Sequence, residues 1–470
     1  MTSSVNSSAG LWLLFLLPCV LSVTLNASRP YITPDQIRRA GITQDIANAM
    51  GAAWEFEQST WATGSVQTDP FYRVPASSGS AAPGTLLRVE EATDVSRYTL
   101  PPGTALSRIL FQTRTLSGSN VPASAFVLWP WSAPRRLPGG KLPVVAWAHG
   151  TSGLFGNDGP SHLKGLSYQF GGPFTLALQG YVVVGPDYAG LGVNTDASGK
   201  RVNHEYLANP SHADDLFYSV QAAQTAFRQL SEQFVVLGHS QGGGAAWAAA
   251  QRQSLEPVKG YLGAIAASPV TSLLDLPDDG PLLGLLVTFV LYAVQNLYPS
   301  FSYRDVLTPQ AAARWELYLS LQAGDGVAFS LLLGIPLLQP DWRSNKYIQL
   351  FIAQTSNGRK PIAGPLLVLQ GLADSNIDPG TTSRAVQDTC KAFPNSMLQY
   401  QTWPAVTHVP LMYASQQVWL QWIADRFAGR PVPPSCAGLR QSPVLAPQRY
   451  ASDPNWIVEG ETDLFKLALP

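Results

Sequence analysis

One serine and its neighbours constrain this chain more than any other feature. Gly238-His239-Ser240-Gln241-Gly242 directly follows the apolar run FVVLG and opens the small-residue stretch GGGAAWAAA. That order asks for a strand, a turn too sharp for bulky residues, and a helix that comes very close to the strand. The flanking glycines let backbone segments meet where a Cβ would collide. The G-x-S-x-G pattern then presents the Ser240 hydroxyl at the tip of the turn, beyond a strand's carboxyl end.

The surroundings fit that demand. Short β-like runs begin near Thr85 (LLRVE, SRILFQTRT, ASAFVLWPW), and a Pro/Gly-rich hinge leads to the apolar run Val144–Trp147 and the sharp turn His149-Gly150-Thr151. Runs at Tyr181–Gly185, Gln233–Leu237, Tyr261–Ala266 and Leu366–Gln370 alternate with helix-like stretches at His212–Leu230, Gly242–Gln253 and up to Phe427. Such alternation implies an α/β fold: a mostly parallel sheet with helices on both faces. Between Ser240 and the last part of that rhythm, residues 271–344 carry the apolar blocks LLGLLVTFVLYAV and FSLLLGIPLL, and this stretch reads as an inserted helical cap or lid. The expected parts are a leader at 1–25, a core at 26–270 with an N-terminal extension to about 70, the insertion at 271–344, more core at 345–430 and a tail at 431–470.

The ends and the charge balance bound the setting. An apolar stretch from Leu11 through Leu25, behind a polar start without Lys or Arg, has the length of a signal-peptide core and is short for a membrane span. An uncleaved anchor is the alternative. A secreted protein without a stable transmembrane anchor is therefore expected. Cys19 would leave with the leader, so Cys390 and Cys436 form an even pair that reads as one disulfide. The sequons at Asn6 and Asn26 lie in or beside the leader and decide little. With 30 Lys+Arg against 31 Asp+Glu the chain lacks the basic surface of a nucleic-acid binder, and 46% apolar residues exclude a disordered one.

Serine alone is a weak nucleophile and needs a base oriented by an acid; in folds built this way the chain order is Ser, acid, His. Six histidines are present, and only His408 follows Ser240, so the base is forced. Asp374, in the turn GLAD after the run LLVLQ, is the preferred acid. Asp378 competes, although beside Pro379 it is well placed to start the next helix. An oxyanion needs backbone N–H donors; Gln241, after the nucleophile, and Thr151, in the His149 turn, are the candidates. His149 then shapes a turn and is not a base. No H-E-x-x-H, cysteine cluster or G-x-G-x-x-G after a strand occurs, so neither metal nor organic cofactor is expected.

These residues resemble the secretory lipases of the lipase-A type, α/β-hydrolases with a helical cap. The matching pieces run in order: Asp69-Pro70-Phe71-Tyr72, AWAHGTSG at 146–153, GYVVVGPDYAGLG at 180–192, Asp214-Asp215, VLGHSQGGGAA at 236–246, GLAD at 371–374 and THVP at 407–410. The resemblance implies an α/β-hydrolase fold and hydrolysis of carboxylic esters by Ser240, Asp374 and His408. One stretch departs: Asn157 and Asp158 in GLFGNDGPS stand where many relatives carry a cysteine-containing segment. Asp187-Tyr188 is similar to the family's pattern and reads as a structural turn.

The expected activity is a secreted serine hydrolase acting on lipid-like acyl esters, with a small-molecule substrate as its partner and a lipid–water interface as one place to meet it. A short-chain or aromatic-acyl esterase, or an acyltransferase, would use the same triad, and a binding module on a hydrolase fold is the non-enzymatic alternative. Whether the apolar blocks of 271–344 line an acyl tunnel and meet lipid, or form a second small core, periodicity does not decide.

Overall fold

The computed structural model describes residues 32–133, 137–432, 436 and 438–451. The leader expected at 1–25, with Cys19, Asn6 and Asn26, and the last part of the tail lie outside them. Three strands, β1 (Leu86–Glu90), β2 (Ala105–Arg114) and β3 (Asn120–Trp129), run antiparallel and join a parallel set through β5. That set comprises β4 (Leu142–Ala148), β5 (Val182–Pro186), β6 (Leu230–His239), β7 (Tyr261–Ala267), β8 (Leu366–Gly371), β9 (Leu398–Trp403) and β10 (Gly438–Arg440). Their order across the single sheet is β1-β2-β3-β5-β4-β6-β7-β8-β9-β10.

The unbroken apolar runs form central strands because both of their faces are buried. In β4, Val144, Ala146 and Ala148 face one core while Val145 and Trp147 face the other; β6, β7 and β8 alternate in the same way. Helices α1 (Pro34–Ala40) and α2 (Gln44–Ser59) precede the sheet. Among those between strands, α3 (Pro173–Leu178) packs on one face, while α4 (Asn209–Ala226) and α5 (Gln241–Leu255) pack on the other.

Between β7 and β8 lie α6 (Leu283–Leu297), α7 (Pro309–Leu321), α8 (Asp325–Leu332) and α9 (Lys346–Thr355). Their apolar residues share one core with α1 and α2, and with Leu154, Phe155, Tyr206 and Ile377 from loops of the sheet domain. Glu57 of α2 accepts the Gly324 and Val327 N–H groups, both at 2.9 Å, and so caps α8. The N-terminal extension, which shows no chemistry in sequence, thus serves to cover the insertion. The run Leu282–Val294 is turned inward, and among the described residues the large apolar side chains with the highest exposure all lie outside 271–344.

After β8 come α10 (Pro379–Ala392), α11 (Pro410–Ala414) and α12 (Gln416–Phe427). The tail, unmarked as a strand by its sequence, adds β10 parallel to β9. Cys390 of α10 is bonded to Cys436, with Cα atoms 5.9 Å apart, which ties the tail to the sheet edge. No helix among the described residues is long and apolar enough to cross a membrane.

Candidate active site

Ser240 stands between the last residue of β6 and the first of α5, with φ 59° and ψ −119°. For a residue with a Cβ this backbone costs on the order of 1–3 kcal/mol and persists only where its surroundings enforce it. They do so here. The Ser240 N–H donates to the Ala267 carbonyl at 2.9 Å, and its own carbonyl accepts from Gly244 at 3.1 Å and Val270 at 3.3 Å. The glycines are needed for contact: a Cβ on Gly242 would lie 1.9 Å from the Ala148 oxygen, and one on Gly238 2.1 Å from the Gly242 oxygen. The end of β4, the elbow and α5 therefore touch backbone to backbone.

The loop after β8 carries Asp374, the expected acid. Asp374 accepts N–H bonds from Ile377 at 2.9 Å and Asn376 at 3.0 Å on one oxygen, and Gln370 Nε2 donates to the other at 3.1 Å. That second oxygen also meets His408 Nδ1 at 2.8 Å. The Asp374 side chain is 0% exposed and that of His408 11%, so the carboxylate is sealed while the imidazole reaches solvent. Burial by itself would raise the Asp374 pKa, but the charge and hydrogen bond of His408 and the Ile377 N–H outweigh it and hold the carboxyl below its ordinary value. Asp378, the competing acid, caps α10 instead, accepting the Thr381 N–H at 2.7 Å. The acid and base loops are packed together: Ala373 N–H donates to the Val406 carbonyl at 3.0 Å, and a Cβ on Gly371 would lie 2.3 Å from that same oxygen.

His408 comes to the elbow through the residue before Ser240. His239 Nε2 lies 3.1 Å from the His408 carbonyl oxygen, and the two imidazole centroids are 4.5 Å apart. Gln241 opens α5, where a helix leaves its first N–H groups without intrahelical partners. Its side chain reaches His204 Nε2 at 3.2 Å. The His149-Gly150-Thr151 turn follows β4 and abuts α5 at Gly242. The Tyr188 hydroxyl donates to the His149 carbonyl at 2.9 Å, which fixes the turn. His149 is buried with both ring nitrogens at carbonyls, Gly150 at 2.6 Å and Asp187 at 3.3 Å, and burial pushes its pKa down to about 4. It is a turn-shaping residue, as its sequence position suggests.

Three partners were not legible in sequence. Tyr206 meets the Thr151 hydroxyl at 2.6 Å, a pair that retains one free hydrogen to donate. Tyr168 meets His239 Nδ1 at 2.8 Å. Gln370 braces Asp374 from within β8. None lies in a motif; only their distance from the motif residues in space reveals them. The stretch that departs from the lipase pattern is held by hydrogen bonds: Asn157 accepts the Val66 N–H at 2.9 Å, and Asp158 those of Leu154 at 2.9 Å and Phe155 at 2.8 Å. Asp187 is satisfied by Ser124 and Ser161 and is structural.

This arrangement agrees with what the chain is similar to. The family model described as serine aminopeptidase, S33, matches residues 174–412, just over half of the chain. A curated relative, a probable inactive lipase of Mycobacterium tuberculosis, is 24% identical over 404 residues, covering 82% of this chain and 87% of the relative. Among solved structures, Candida antarctica lipase A superposes with a TM-score of 0.64 at 17% identity, over 81% of this chain and 90% of its own. The rice cell wall degrading esterase LipA of Xanthomonas oryzae does so with a TM-score of 0.59 at 18% identity, over 74% of this chain and 100% of its own. At such identities the structural likeness speaks for the fold. The chain belongs to the α/β-hydrolase family described as serine aminopeptidase, S33, and shares its architecture with the lipase-A type of hydrolase.

Proposed function

We propose that this protein is a secreted carboxylic ester hydrolase that acts on lipid-like acyl esters through an acyl-enzyme on Ser240. The observation that carries the reading is the 2.8 Å contact between His408 and the sealed, low-pKa Asp374, together with a serine held at φ 59° directly after His239, whose Nε2 meets the His408 carbonyl at 3.1 Å. His408 takes the Ser240 proton as the oxygen attacks the ester carbonyl. The developing oxyanion faces the Gln241 N–H and Thr151. Collapse breaks the bond to the alcohol oxygen, which leaves with the proton from His408, and water then releases the acid by the same route in reverse. Asp374 orients the imidazole and stabilises its charged form without accepting the proton.

Support for an apolar acyl group comes from the shared core. Leu154 and Phe155 lie just beyond Thr151, Ile377 lies just beyond Asp374, and all three join the apolar cluster of α6–α9. In this reading residues 271–344 cap the site and offer that cluster to an acyl chain. A second reading, a short-chain esterase, is favoured by the inward packing of the same apolar side chains, which leaves little of the insertion to meet lipid. The inactive relative suggests a third, a fold kept for binding; the complete Ser240, Asp374 and His408 set speaks against it.

Hydrolysis of p-nitrophenyl esters from acetate to palmitate, with and without a lipid surface, separates these. Turnover extending to the long chains is expected. Activity limited to acetate and butyrate would leave the short-chain esterase, and no turnover at all would leave the binding module. Turnover that survives in Ser240→Ala would overturn the mechanism.

A further inference from the structure

Leu166, Ser167, Tyr168 and Gln169 all have left-handed backbone, with φ of 54°, 53°, 45° and 40°. Residues with a Cβ visit this region singly, and a run of such residues persists only where packing imposes it. The run delivers one side chain to one place. The Tyr168 ring is buried with its centroid 5.3 Å from that of Trp147, and its hydroxyl lies 2.8 Å from His239 Nδ1. A Cβ on residue 150 would sit 1.9 Å from that hydroxyl, so only glycine admits it.

Donor and acceptor roles follow from the far end. The His408 carbonyl can only accept, so His239 Nε2, at 3.1 Å, carries the hydrogen. In the neutral ring His239 Nδ1 is then bare and accepts from the Tyr168 hydroxyl. The tyrosine oxygen, having given its hydrogen, packs against Gly150. Burial keeps His239 uncharged, with its pKa pushed down to about 3, so it adds no charge beside the His408 imidazole. The result is a continuous chain: Gly150 packs on Tyr168, Tyr168 bonds to His239, and His239 bonds to the His408 main chain.

We propose that Tyr168 and His239 are positioning residues that lock the oxyanion turn, the nucleophile elbow and the His408 loop into one register. This rests on the reading of Ser240 and His408 as nucleophile and base. Neither residue touches the ester; each acts through the group it holds, Gly150 beside Thr151 at one end and the His408 backbone at the other. Misplacement of reacting groups by about 1 Å costs on the order of 100-fold in rate, and this chain works on that scale.

The test is steady-state hydrolysis of p-nitrophenyl butyrate, with thermal unfolding recorded alongside. Tyr168→Phe removes only the hydroxyl and should lower kcat about 10- to 100-fold with KM within about twofold, at a melting temperature near native. His239→Phe should fall as far. His239→Gln sets an amide nitrogen where Nε2 was and should recover a large part of kcat, a rescue that a purely packing role would not produce. A native kcat in Tyr168→Phe, or His239→Gln no better than His239→Phe, overturns the proposal. If Ser240→Ala is inactive while Tyr168→Phe is native, the positioning chain alone falls; turnover in Ser240→Ala would instead sink the triad beneath it.

Discussion

The sheet beneath Ser240 and the helical insertion between β7 and β8 are both buried and largely apolar, but they are held together differently. Under the elbow, small residues bring backbones into contact: Gly238, Gly242 and Gly243 each have a carbonyl oxygen within 2.4 Å of where a Cβ would sit. In the insertion, large side chains such as Phe289, Trp315, Tyr318 and Leu331 fill the space between helices. The first region is limited by contact distance and cannot accept an added carbon. The second is limited by volume and responds to carbons removed. The proposed catalytic geometry rests on the first, because main-chain contacts do not relax as side-chain packing does.

The largest expected effect breaks the comparison at its chemical end. Asp374→Asn should lower kcat about 10⁴-fold, since the amide favours the wrong imidazole tautomer, while melting temperature changes little. Asp378→Ala should leave kcat near native and cost about 1 kcal/mol of stability for the lost cap of α10. A reversal of these two results would exchange their roles.

Next in size, a single methyl separates the two regions. Gly242→Ala should cost more than about 4 kcal/mol in chemical denaturation and abolish hydrolysis, because the new carbon meets the backbone of Ala148 and His149. Leu331→Ala removes three carbons from the insertion and should cost about 2–5 kcal/mol, with kcat on short esters near native. Comparable stability losses with comparable activity losses would erase the distinction drawn above.

The smallest effect depends on pH. Burial and the neighbouring Asp325 push the Glu57 carboxyl up to about 8, although it accepts N–H bonds from the start of α8. A carboxyl whose pKa is higher folded than unfolded binds its proton more readily in the folded state. Its stabilisation is complete below the unfolded value and is lost as pH rises towards 8. Melting temperature should therefore decline between pH 5 and pH 8, and Glu57→Gln, which cannot ionise, should flatten that decline. An unchanged slope would place the pH response elsewhere.

Much of the sheet domain was legible because each of its signals is local. Runs buried on both faces announced β4, β6, β7 and β8, the glycine-flanked serine announced the sharp turn before α5, and the sole histidine after Ser240 was the one candidate for a base. The choice between Asp374 and Asp378 was less secure in sequence, since both follow β8 within a few residues; the hydrogen bond to His408 separates them. The tail strand β10 and the role of α1 and α2 were not legible at all. A three-residue edge strand has no periodicity to detect, and a covering helix looks like any amphipathic helix until its partner is known.

The sequence by itself determined where the turn at Ser240 stands and the succession of strands and helices, and it singled out Ser240 and His408 as candidates, because residue type and spacing along the chain are enough to state those demands. Only the tertiary structure decided that Asp374 meets His408, that the insertion turns its apolar residues inward, and that Tyr168 joins Gly150 to His239. Those contacts link residues far apart along the chain, whose side chains carry no mark of each other until the sheet has brought them together.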